Sequence, residues 1–173
     1  MKKENNIPTI ALQTIAIEIQ AIEALKDGIN ARFCDAVKAI FRSNGRVIVT
    51  GIGKSALVSK KIVATLNSTG TPSIFMHASD AIHGDLGMIQ KNDIVLCLSK
   101  SGATAEIKVL VPLIKNLGNI LIGMTANEDS YLSQHANHHL HTPIVREADP
   151  NNLAPAASTT AQMVLGDALA TAL

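Results

Sequence analysis

The run Asp93-Ile94-Val95-Leu96-Cys97-Leu98 passes directly into Ser99-Lys100-Ser101-Gly102-Ala103-Thr104-Ala105-Glu106. An unbroken apolar stretch of this length reads as a strand buried on both faces, and the apolar spacing of residues 105–117 reads as an amphipathic helix. Between the two lie three hydroxyl side chains and a glycine, a layout that suits an anion. Ser99, Ser101 and Thr104 each offer a hydroxyl hydrogen, and Gly102 lets the backbone come close. The helix start supplies unpaired N–H groups and the positive end of its dipole. Glu106 stands one or two residues into the helix, a candidate base for whatever the anion anchors. The same residues also read as a plain helix cap, with Thr104 or Ser101 as N-cap.

Outward from this stretch the alternation repeats. Short β-branched or continuous apolar runs fall at 46–50, 73–76, 93–98, 119–125 and 138–145. Helical spacing falls between them at 54–67, 79–86, 105–117 and 130–136, and at 156–173 beyond the last run. Two further helices, 10–25 and 29–41, precede the first strand, separated by Gly28 and closed by Ser43-Asn44-Gly45. Strands separated by helices require right-handed crossovers, so the fold class is α/β: a doubly wound, five-stranded parallel sheet flanked by helices. Ligands are then expected at the carboxyl ends of the strands. The reading is of a single domain over 1–173, with two N-terminal helices at about 10–43 and an α/β core at 46–173.

Composition excludes several function classes. With 173 residues and 47% apolar content the chain can build one sizeable core. A net charge of +1 with dispersed Lys and Arg gives no basic stripe for nucleic acid or an anionic membrane. No Trp, one Tyr and three Phe leave no base-stacking platform. Cys34 and Cys97 both fall in apolar periodic segments, where a thiol acts as a small hydrophobe, and a cytoplasmic location is expected. The amino-terminal Met-Lys-Lys-Glu-Asn-Asn leads into a helix carrying Gln13, Glu18, Gln20 and Glu23, which reads as neither a signal segment nor a membrane span.

A second loop, Thr50-Gly51-Ile52-Gly53-Lys54-Ser55-Ala56, follows the first strand. A triphosphate-binding loop would need glycine five residues before Gly53, where Ile48 stands. A dinucleotide site would need an acidic residue at the end of the second strand, where the chain has Met76-His77-Ala78. The spacing fits better a tight glycine turn that brings the strand end close to a small ligand, with Lys54 projecting into the same cleft. His135, His138, His139 and His141 form a cluster, but no carboxylate stands at metal-ligand spacing beside them, so no metal is assigned.

These loops, together with Ser68-Thr69-Gly70-Thr71-Pro72, His83-Gly84-Asp85-Leu86-Gly87-Met88 and Leu153-Ala154-Pro155 followed by Ser158-Thr159-Thr160, resemble sugar isomerase (SIS) domains. Among these the chain is most similar to arabinose-5-phosphate isomerases of the Kdo branch of lipopolysaccharide synthesis. The resemblance implies interconversion of D-ribulose 5-phosphate and D-arabinose 5-phosphate through an enediol, without a cofactor, in a homotetramer. It implies catalytic roles for Lys54, Glu106 and Glu147. Substrate- or phosphate-binding roles are implied for Gly51, Gly53, Ser55, Gly70, Thr71, His77, His83, Ser99, Ser101, Gly102 and Thr104, with His77 and His83 associated with substrate or an inhibitory zinc. The family continues past the last helix with a Ser-His-Pro-Gly-Gly segment bearing a fourth catalytic residue, and usually with a pair of CBS domains. The sequence stops at Leu173, before them. It also departs at Asp149-Pro150-Asn151-Asn152, where the family loop is less polar. The alternatives are a sugar-phosphate-binding module without catalysis and an isomerase of another sugar phosphate.

Overall fold

The computed structural model describes residues 6–173. Residues 1–5, read above as free of a leader, lie outside the described residues. Among the described residues five parallel strands form one sheet in the order β2-β1-β3-β4-β5. They are β1 Val47–Gly51, β2 Ser73–His77, β3 Ile94–Leu98, β4 Ile120–Thr125 and β5 His138–His141. The helices are α1 Ile7–Ala24, α2 Ala31–Arg42, α3 Lys54–Ser68, α4 Ala78–Ile82, α5 Ala105–Asn116, α6 Tyr131–His135 and α7 Ala157–Thr171. None of them is long and apolar enough to cross a membrane.

The central strands β1 and β3 are buried throughout, as their unbroken apolar sequence requires. Alternate residues serve two cores. Val47, Val49, Leu96 and Ile122 face Phe33 and Ile40 of α2, Ile62 and Leu66 of α3, and Leu165 and Leu169 of α7. Ile48, Val95, Cys97 and Leu121 face Ala81 of α4, Ile107, Leu110 and Ile114 of α5, and Leu132 of α6. At the amino ends the buried Asp93 ties β3 to β1: Oδ1 accepts the Arg46 N–H at 2.8 Å, and Oδ2 accepts Arg46 Nη2 at 2.7 Å.

Three expectations are corrected. The helix expected over 79–86 splits into α4 and a 3₁₀ turn Asp85–Met88, because Gly84 takes φ +142°, outside any helix. The fifth strand ends at His141 rather than Val145, because Pro143 has no N–H for a ladder. Cys97 is buried, and burial pushes its thiol up to about 12. Cys34 lies on the solvent side of α2 and is exposed, so it packs no core.

Candidate active site

In the order 2-1-3-4-5 the sheet changes winding direction between β1 and β3, whose following helices α3 and α5 lie on opposite faces. A crevice must open where they diverge, beyond the strands' carboxyl ends. There the structure has an open cleft of about 220 Å³. Lys54 and Ser55 reach it from the β1 loop, and Ser99, Lys100, Ser101 and Thr104 from the β3 loop. Pro155, Ser158 and Thr159 close it from the start of α7. A larger concavity, about 560 Å³, lies at the opposite end of the strands against Asn92, Asp93 and Asn119. None of the candidate residues reaches it.

The glycine turn after β1 is required by close approach. A Cβ on Gly51 would stand 3.1 Å from the Leu98 carbonyl oxygen and from Ser59 Oγ, and Gly53 takes φ +59° as the N-cap of α3. Lys54 is thereby the first residue of α3, exposed on the cleft. Ser55 Oγ donates to the buried Gln162 Oε1 of α7 at 3.1 Å.

In the β3 loop the cap and anion readings prove compatible. Ser99 Oγ accepts the Gly102 N–H at 3.1 Å, Ser101 Oγ accepts that of Ala103 at 3.4 Å, and Thr104 Oγ1, the N-cap of α5, accepts that of Ile107 at 3.4 Å. Each hydroxyl is used as an acceptor by backbone, and none donates to a protein group among the described residues. Each hydroxyl hydrogen is therefore available to a ligand. Gly102 has φ +63° and is packed against Ser130, so no larger residue fits there. Glu106, in the first turn of α5, is half-buried, and its carboxylate has no hydrogen-bond or ionic partner among the described residues.

Glu147 is placed differently. It is 0% exposed and lies behind the cleft wall. Its Oε1 accepts Ser158 Oγ at 2.6 Å and lies 2.7 Å from Lys100 Nζ, while Oε2 accepts the N–H groups of Ala156 at 2.9 Å and Ser158 at 3.2 Å. Burial alone would raise this carboxyl, but the bonds from Lys100, Ser158 and the two amides outweigh it and hold it at about 2. In this arrangement both carboxylate oxygens are engaged by protein groups. The polar loop at 149–152 explains the placement: Asn152 Oδ1 accepts the Glu147 N–H at 2.8 Å, and Asp149 Oδ2 accepts those of Asn151 and Leu153.

Three helix starts thus converge, those of α3, α5 and α7. Glu147 occupies the third with its own negative charge, so the first two remain for a ligand.

Other candidates stand apart. His77 ends β2 beside Gly51, with Nδ1 3.8 Å from Asp80 Oδ1, and His83 is exposed after α4; neither lines the cleft. Gly70 and Thr71 precede β2 and line a hollow at the amino ends of the strands with Arg46 and Val47, so within this chain they do not join the cleft. Of the histidine cluster, His139 Nε2 pairs with Thr125 Oγ1 at 3.1 Å, His141 Nε2 with the Ala126 carbonyl at 3.2 Å, and His135 Nδ1 with the Tyr131 carbonyl at 2.8 Å. No group of three or more metal-ligating side chains among the described residues could hold an ion. The motifs above give no role to Lys100 or Gln162. The one available signal was the position of Lys100 between two cleft hydroxyls.

A family model described as SIS domain matches residues 40–172. The arabinose 5-phosphate isomerase KdsD of Pseudomonas aeruginosa is 53% identical over 163 residues, 94% of this chain and 50% of that protein. The enzyme of the same name from Francisella tularensis is 47% identical over 166 residues, 94% of this chain and 51% of that one. The chain spans about half the length of these curated relatives. A solved structure, E. coli CFT073 c3406 in complex with arabinose 5-phosphate, superposes with a TM-score of 0.93 at 38% identity, covering 98% of this chain and 90% of that one.

Proposed function

The chain belongs to the SIS domain family, and from that premise we propose that it is an aldose-ketose isomerase interconverting D-ribulose 5-phosphate and D-arabinose 5-phosphate. The observation that carries the reading is a hydroxyl-lined helix start at the switch point of the sheet, followed in the first turn of the same helix by Glu106, whose carboxylate has no protein partner among the described residues and stands beside the cleft rather than on its wall. Ser99, Ser101, Thr104 and the first amides of α5 hold the phosphate. Glu106 takes the carbon-bound proton from C1 or C2, and the freed electron pair forms the C1–C2 double bond of the enediol as the carbonyl oxygen takes up a proton from solvent; when the enediol collapses, the neighbouring hydroxyl gives its proton back to solvent and becomes the new carbonyl. Return of the proton to the neighbouring carbon completes the exchange. The Lys54 ammonium stabilises the charge that develops on the two oxygens. The names of the curated relatives and the sugar phosphate bound in the related E. coli structure support this choice of sugar.

The enzyme works as a homotetramer in the cytoplasm on this reading. Leu12, Ile15 and Ile19 form an exposed apolar stripe along α1, which supports self-association; light scattering that shows a monomer at micromolar concentration would remove that part.

Incubation with D-ribulose 5-phosphate in deuterated water tests the activity. Deuterium at the carbon next to the carbonyl together with D-arabinose 5-phosphate in the product is expected. Binding without exchange would identify a sugar-phosphate-binding module instead.

A further inference from the structure

Lys100 lines the same cleft as Lys54, Ser99, Ser101 and Thr104, and no motif assigned it a role. Its side chain is 44% exposed while its partner Glu147 is 0% exposed, so the ion pair straddles the cleft wall, carboxylate inside and ammonium at the surface. An ammonium carries three N–H donors. Glu147 is its one partner among the described residues, which leaves its other donors unused in a side chain that lines the cleft together with Ser99 and Ser101.

The carboxylate, in turn, is fixed from behind. The Ser158 hydroxyl and the amides of Ala156 and Ser158 bind it at the start of α7, so it cannot swing out to follow the lysine. A lysine at the end of a flexible four-carbon stem is ordinarily a poorly placed charge. Here it is anchored by a rigid one. The arrangement also has an electrostatic consequence: without the ammonium, an incoming dianion would meet a buried, uncompensated negative charge.

We propose that Lys100 is a second phosphoryl-binding cation of this cleft, and that Glu147 is its positioning residue rather than a proton-transfer group. The inference rests on the sugar-phosphate reading above for the identity of the ligand. It differs from that reading in the role of Glu147, which works through Lys100 and never touches the sugar.

The experiment is calorimetric titration of the whole chain with inorganic phosphate and with D-arabinose 5-phosphate. It compares the parent, Lys100→Gln, Glu147→Gln and the double variant, with thermal unfolding as the check on folding. Lys100→Gln alters a surface side chain and should fold. It is expected to weaken both ligands by about tenfold or more, the worth of a charge-assisted hydrogen bond. The double variant, relieved of the bare buried charge, should bind more tightly than Lys100→Gln alone. With D-ribulose 5-phosphate as substrate, Lys100→Gln should raise KM much more than it lowers kcat. Unchanged phosphate affinity in a folded Lys100→Gln protein overturns the proposal, as does a double variant whose losses are the sum of the single ones. A parent that binds both ligands yet does not isomerise, with the same pattern among the variants, leaves Lys100 in place and removes only the reaction. A parent that binds neither removes the assignment of Lys100 as well.

Discussion

Gly166 of α7 packs against the side chain of Ile62 in α3 so closely that a methyl group on it would overlap Ile62 Cγ1 and Cδ1. Ser158, Gln162 and Gly166 are spaced four apart and share one face of α7. The close approach at Gly166 therefore also sets how Gln162 meets Ser55 and how Ser158 reaches the cleft. Gly166→Ala should cost about 1–3 kcal/mol by overpacking a fully buried contact, read by thermal or denaturant unfolding. It should also raise KM, although it touches no ligand. An unfolding midpoint like the parent's would mean that α7 has room to shift.

Glu106→Gln keeps the shape and polarity of the side chain and removes the proton acceptor. Sugar-phosphate affinity should hold while turnover and deuterium exchange fall by about 100-fold or more. Parent-like exchange in this variant would take Glu106 out of the mechanism.

Ser101→Ala removes a hydroxyl hydrogen from the anion site but leaves the N-cap of α5, Thr104, intact. Binding of D-arabinose 5-phosphate should weaken by roughly 1.5–3 kcal/mol, with little change in stability. Equal dissociation constants by calorimetry would return the loop to a purely structural role.

Acid should act on the protein through Glu147. Burial opposes its ionisation, but the bonds from Lys100, Ser158 and the α7 amides win, and its folded pKa of about 2 lies below the unfolded value. A depressed folded pKa means that the stabilisation is complete above the unfolded value, near 4.5, and is lost as pH falls from there through about 2. A shift of that size corresponds to about 3 kcal/mol at neutral pH. Asp93, where burial again opposes ionisation but the hydrogen bonds it accepts from the Arg46 side chain and from the Gln90 and Arg46 amides win and hold the pKa below its ordinary value, adds a contribution of the same sign. Lys100→Gln removes the ammonium's part of this stabilisation: its deficit relative to the parent should be largest near neutrality and vanish as pH falls through about 2. A deficit independent of pH would contradict the assignment.

What could be seen in the sequence follows from the range over which each feature is determined. The strands at 47–51 and 94–98 announce themselves because burial on both faces demands uninterrupted apolar residues, a local pattern. The anion loop is legible for the same reason, its hydroxyls, glycine and helix start being consecutive. Glu147 is not, because what makes it a buried anchor is the docking of α7, set by Gly166 and Ile62 far away in sequence. Lys100 is not legible either, because its partner lies 47 positions along the chain. Gly70 and Thr71 matched a family run, but that run precedes β2, and in a parallel sheet a loop before a strand opens at the wrong end.

The occupancy of the α7 start by Glu147 sets a limit on cargo. A sugar carrying one phosphoryl group finds two helix starts and two ammonium groups, whereas a bisphosphate must place its second dianion against a terminus already filled by a carboxylate that cannot leave. On the proposed sugar-phosphate reading the scaffold itself selects for monoesters, independent of how the sugar hydroxyls are read. In competition binding, a pentose bisphosphate should displace arabinose 5-phosphate poorly from the parent protein and better from Glu147→Gln; equal displacement from both would show that the third terminus is neutral to the choice.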